Sequence, residues 1–209
     1  MFALVESGSI TKMLSGNRGI TIDGIQHPRA IYTLWTEAER NALGIYTVEY
    51  DDSNKKDEQW YINTNQSYAF GSGKVTATYG TATARAHADT TWTQKQIDDG
   101  DAPDDADTDT VAVEGLKTKL IRSVKKQAAS ELSKTDWYIT RKSEKSTAIP
   151  SAITTHRDLI RSRQAAMETS ITNASDTPAL ETLYTYVNTA DEGDPIVMAR
   201  PLVKIPTLD

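Results

Sequence analysis

Up to about residue 90 the apolar positions fall in short runs divided by turn-forming residues, the pattern of strands rather than long helices. Phe2-Ala3-Leu4-Val5 and Ile10-Thr11-Lys12-Met13-Leu14 flank Gly8 and predict a hairpin. The chain turns again around Gly16, Asn17 and Gly19, and Ala30-Ile31-Tyr32-Thr33-Leu34 reads as a β-prone run. Thr36 then opens a short helix over Glu37 to Leu43. Glu39 stands at capping-box spacing from Thr36, and Gly44 follows as the stop. Strands resume at Ile45–Tyr50, Trp60–Ile62, Ser67–Phe70 and Lys74–Tyr79, the last two joined by Gly71-Ser72-Gly73.

From Val111 the apolar period changes to three and four. Val113, Leu116, Leu120, Val124, Ala128 and Leu132 form one helical stripe. After Pro150, Ile153, His156, Ile160, Gln164, Met167 and Ile171 form a second. The helices at 111–133 and 151–172 are expected to pack antiparallel, each covering the other's stripe. A third helix starts at Asp176 or Thr177 with Pro178 in its first turn and runs through Leu180, Leu183, Tyr184 and Val187. Beyond Pro195 the prolines forbid a helix, so the tail is expected to be extended. The fold class is therefore α+β: a small β-rich head at 1–92, an acidic linker at 93–110, and an antiparallel helical arm with extended tail at 111–209.

Charge sharpens this division. Residues 94–109 hold one Lys against seven Asp, and residues 110–175 hold twelve basic against six acidic groups. Asp98 to Asp109 cannot bury a core and read as a solvated linker. Calcium ligation is the alternative, but Gly100 comes too early for an EF-hand loop and the nearby Glu114 does not close one. The basic helices lie between acidic segments that repel phosphate, so nucleic acid is not an expected partner. No apolar run is long enough to span a bilayer, and residues 1–6 lack the form of a secretory signal. The chain has no cysteine.

Catalytic chemistry finds little footing. His27, His87 and His156 lack ligand-spaced partners, so no metal site is expected. His156, Arg157 and Asp158 are consecutive and point to different faces of a helix. There is no nucleophile elbow, phosphate-binding glycine loop or dinucleotide fingerprint. The expectation is a non-enzyme without cofactor.

Thr135-Asp136-Trp137-Tyr138 breaks the helical pattern. Thr135 or Asp136 caps or interrupts the helix, and the two rings call for a buried seat at a helix–helix corner. Leu132, Thr135, Asp136, Trp137, Tyr138, Arg141, Glu144, Ile149, Pro150, Arg157 and Arg161 together resemble the C-terminal module of tail fibre, tail fibre assembly and baseplate-associated proteins of tailed bacteriophages. Leu34-Trp35-Thr36-Glu37-Ala38-Glu39-Arg40-Asn41-Ala42-Leu43-Gly44-Ile45-Tyr46 resembles a second pattern of such proteins. Together the two cover roughly residues 30–165.

The resemblance implies a structural virion protein that joins or decorates the tail at the baseplate or fibre attachment point. Other tail proteins and further copies of itself would be its partners. It implies a location in the virion tail, and in the host cytoplasm during assembly. A tail-fibre assembly chaperone is the alternative, although Pro201 and Pro206 come without the tryptophan of many chaperone tails. A receptor-binding component, with Trp60 and Tyr61 as exposed contacts, is a further one. Candidate interaction residues are Trp137, Tyr138, Arg141, Arg157 and Arg161, with Ile196, Val197, Met198, Leu202, Val203 and Ile205 in the tail.

Overall fold

The computed structural model describes residues 1–208 and divides into two compact units, Met1–Thr83 and residue 84 onward. The first unit is β-rich. Its strands are β1 (Phe2–Glu6), β2 (Ser9–Leu14), β3 (Ile20–Ile22), β4 (Ile25–His27), β5 (Ile45–Asp51), β6 (Tyr61–Ile62), β7 (Gln66–Gly71) and β8 (Lys74–Tyr79). Two short helices, α1 (Ile31–Leu34) and α2 (Glu37–Ala42), precede β5. Five strands form a curled sheet in the order β2-β1-β5-β8-β7. All its pairings are antiparallel except β5 with β8, where Val48 stands beside Val75.

Three of the hairpins use the same device. Ser7-Gly8, Asp23-Gly24 and Ser72-Gly73 each place two successive residues at positive φ between paired strands. That geometry matches the right-handed twist of the strands it joins. The strand β1, next to the central β5, is buried on both faces. Leu4 packs with Leu14, Ile20, Ile22, Ile31, Tyr32 and Ile45, whereas Ala3 and Val5 pack with Val48, Val75 and Ala77.

Ala30–Leu34 is not a strand. Ile31, Thr33 and Leu34 donate their N–H groups to Pro28 and Ala30 carbonyls and close a helical turn. The turn drives the adjacent Ile31 and Tyr32 into the core, and that burial outweighs their β propensity. The capping box is present: Thr36 Oγ1 accepts from the Glu39 N–H, and the Glu39 carboxylate accepts from the Thr36 N–H. Arg40 donates to the Trp35 carbonyl and lies over the Phe2 ring. Gly44 has φ 76°, and a Cβ there would stand 2.5 Å from the Val5 carbonyl oxygen. The motif around Trp35 is thus a device for turning the chain tightly back onto β1.

In the second unit β9 (Thr83–Ala84) lies at the division and β10 (Thr90–Thr91) pairs with β11 (Val111–Val113). This pairing closes residues 92–110 into an excursion within the unit, and the division falls upstream of the boundary that composition suggests. Inside the excursion Thr93 and Gln96 form a second capping box on α3 (Gln94–Asp98). The helices α4 (Leu116–Ser133), α5 (Asp136–Lys145), α6 (Ser151–Asn173) and α7 (Thr177–Tyr184) follow, packed antiparallel. The ribbon β12 (Val187–Asn188) and β13 (Met198–Ala199) comes last.

Val111 and Val113 belong to β11 instead of the helix, because α4's start is fixed from upstream. The N–H groups of Leu116 and Lys117 donate to the carbonyls of Ala86 and His87. Those of Gly115 and the Thr118 hydroxyl reach the Asp89 carboxylate at 2.7 and 2.8 Å. Segment 86–89 thereby caps α4. Gly115 is required because a Cβ would sit 2.3 Å from the Ala88 backbone. On α6, Ile153, Arg157, Ile160, Met167 and Ile171 are the buried positions. Arg157 takes the place the apolar pattern assigned to His156, which is only half-buried. As expected from sequence, Asp176 caps α7 by accepting from the Ala179 N–H, with proline in the first turn.

Candidate functional site

Between α4 and α5 the chain turns on Thr135, which is fully buried. Its hydroxyl donates to the Leu132 carbonyl at 3.0 Å and accepts from Arg157 Nη1 at 2.6 Å. Arg157 Nη1 also lies 2.8 Å from the Leu132 carbonyl and 2.9 Å from Asp136 Oδ1. The arginine, 7% exposed, reaches across from α6 to hold the end of α4 and the start of α5 together. The Leu132 carbonyl, which at the helix end also accepts from the Thr135 N–H at 3.1 Å, takes a further donor from a guanidinium on a long apolar stem. Asp136 closes the clamp from the solvent side. A buried cation shared by these three acceptors fixes the geometry of the corner.

The two rings that follow are not seated in a core. Trp137 is 51% exposed, and α5 contributes no buried residue. Trp137 and Tyr138 stack on each other with centroids 3.8 Å apart, and the Arg141 guanidinium covers both at 4.7 and 5.2 Å. The full burial at this corner is supplied by Thr135 and Arg157, and exposed Trp137 with half-buried Tyr138 and Arg141 forms a plate of aromatic and cationic surface. Arg161 does not join the clamp; it is exposed and pairs with Asp158 one turn away at 3.2 Å.

The tail residues separate in the same way. Leu202 is 1% exposed and its N–H donates to the Leu183 carbonyl, so it belongs to the unit's own core and is no docking residue. Val203 and Ile205 are half-buried. Ile196, Val197 and Met198 project on the ribbon, with Ile196 75% exposed. Arg200 lies over the Tyr184 and Tyr186 rings and Lys204 over Tyr186, pinning the ribbon's base. Burial raises the Tyr184 phenol pKa, whereas a hydrogen bond with Lys204 lowers that of Tyr186.

Trp60 and Tyr61 are buried, which removes them as exposed receptor contacts. Among the described residues no three His, Asp or Glu side chains are grouped to hold a metal ion. Within the 98–109 stretch Asp107 caps a turn, accepting from the Thr110 hydroxyl and the Asp109 N–H. Sequence reading missed the ribbon's acidic tip, Asp191, Glu192 and Asp194, although a Gly-containing polar run between Val187 and Val197 is a hairpin signal. Comparison with known protein families, curated proteins and solved structures finds no match to the chain.

Proposed function

We propose that this chain is a structural protein of a tailed-bacteriophage tail, joining or decorating it at the baseplate or fibre attachment point through protein–protein contacts. The observation that carries the reading is how the residues of the resemblance sort. Thr135, Asp136 and Arg157 build a clamp, and beside it stands a plate of exposed Trp137 with half-buried Tyr138 and Arg141. Tryptophan, tyrosine and arginine are the side chains that supply most binding energy where proteins meet. A short helix carried on a rigid corner and burying none of its own residues is suited to meeting a neighbour. The role is non-enzymatic and needs no cofactor.

Protein composition of purified particles tests the proposal. A fixed number of copies per tail is the expected result. Absence from finished particles, with fibres failing to mature when the gene is lost, would replace it with the assembly-chaperone role.

A further inference from the structure

We infer that copies of this chain associate head to tail, with the ribbon β12–β13 of one copy seated on the α5 stripe of the next. The inference rests on the assembly reading above and adds to it a partner, a second copy, and the two surfaces that meet.

Both elements are underfurnished by themselves. α5 has ten residues and none is buried, and a helix of that length is marginal in water without tertiary cover. The ribbon pairs only Val187 with Ala199 and Asn188 with Met198, and two-stranded ribbons are likewise marginal alone. Neither ribbon face is covered: Val187 and Val197 share one, Ile196 and Met198 the other, and all four are exposed.

Their chemistry is complementary. On α5, Trp137, Arg141 and Lys145 follow at one-turn intervals, with Tyr138 and Lys142 beside them. At the ribbon's tip Asp191, Glu192 and Asp194 are exposed, next to the apolar side chains. Among the described residues, neither these acids nor Lys142 and Lys145 enter an ion pair. The stripe also carries Glu144, yet its three bases outweigh that one acid, so each surface combines apolar area with a net charge and the net signs are opposite.

Complementarity also fixes the mode. Two α5 stripes brought face to face would set lysine against lysine, and two ribbon tips would set acid against acid. Ribbon on stripe sets three acids against Arg141, Lys142 and Lys145, more opposite charge than two stripes with one Glu144 each can join, so the contact is heterologous and closes into a ring or continues as a filament. The excursion at 98–109 carries acid too, but it has no large apolar side chain to set against Trp137.

Sedimentation velocity on the full chain tests this with two charge-reversed variants. One is Lys142→Glu/Lys145→Glu, and the other is Asp191→Lys/Glu192→Lys/Asp194→Lys. Circular dichroism checks that each stays folded. The wild-type chain should self-associate less tightly as salt is raised, and each variant alone should associate about a hundredfold more weakly. An equimolar mixture of the two should recover association, because each surface then again faces its opposite. A wild-type chain that is monomeric throughout overturns the inference, as do variants that associate like wild type or a mixture that fails to recover. Particle composition judges the assembly reading independently of these outcomes.

Discussion

At the end of α4 the chain hands over, within four residues, from a polar cluster to an aromatic one. Thr135 and Asp136 turn toward Arg157 and are held by it, whereas exposed Trp137 and half-buried Tyr138 stack under Arg141. Both clusters contain an arginine, yet the two arginines act differently. Arg157 is enclosed by acceptors and fixes a backbone angle; Arg141 rests on ring faces and can exchange them for a partner's. The large rings, which promise most hydrophobic stabilisation by size, supply little of it here, and a threonine hydroxyl holds the corner.

The sharpest way to break this contrast is Arg157→Ala. Its loss removes three contacts at the corner, to the Leu132 carbonyl, the Thr135 hydroxyl and Asp136, together with the packing of a buried arginine stem, which should cost about 3 kcal/mol in urea unfolding followed by helical circular dichroism. A cost under about 1 kcal/mol would put Arg157 in the same class as Arg141. Gly115→Ala probes the capped start of α4, where the added Cβ meets the Ala88 backbone, and should cost about 2 kcal/mol. Thr135→Val keeps the shape and removes the hydroxyl, so about 1 kcal/mol is expected.

Asp89 gives a smaller, pH-dependent effect. Hydrogen bonds from the Gly115 N–H, then the Thr118 hydroxyl, hold its carboxyl below the usual carboxylate range. A folded-state pKa below the unfolded one stabilises above the unfolded value and ceases to do so as pH falls through the folded value. Wild type should therefore exceed Asp89→Asn in stability at neutral pH and lose that advantage in strong acid, as paired unfolding curves would show. Smallest of all, Trp137→Ala should change stability by less than about 0.5 kcal/mol.

Much of the fold was legible. The β1–β2 hairpin, the Thr36 capping box, the helical stripes and the Asp176 cap all follow from local spacing. The β3–β4 hairpin was equally open to reading, since Asp23-Gly24 is a strong turn pair, but its strands are only three residues each. Long-range effects were not legible. Nothing near Ile31 announces that core burial will coil a β-prone run, and nothing near Gly115 announces a cap from Asp89. At the site, the residues could be picked out but not their roles. Which of several polar and aromatic neighbours is enclosed depends on Arg157, on another helix, and the same holds for Leu202 against its exposed neighbours in the tail.

On the proposed function, the clamp serves the fold and the plate serves assembly. The direct measurement is the copy number of Trp137→Ala protein in purified tails, taken on a variant whose unfolding midpoint matches wild type. Loss of incorporation at unchanged stability is the predicted result; incorporation at the wild-type copy number would contradict it.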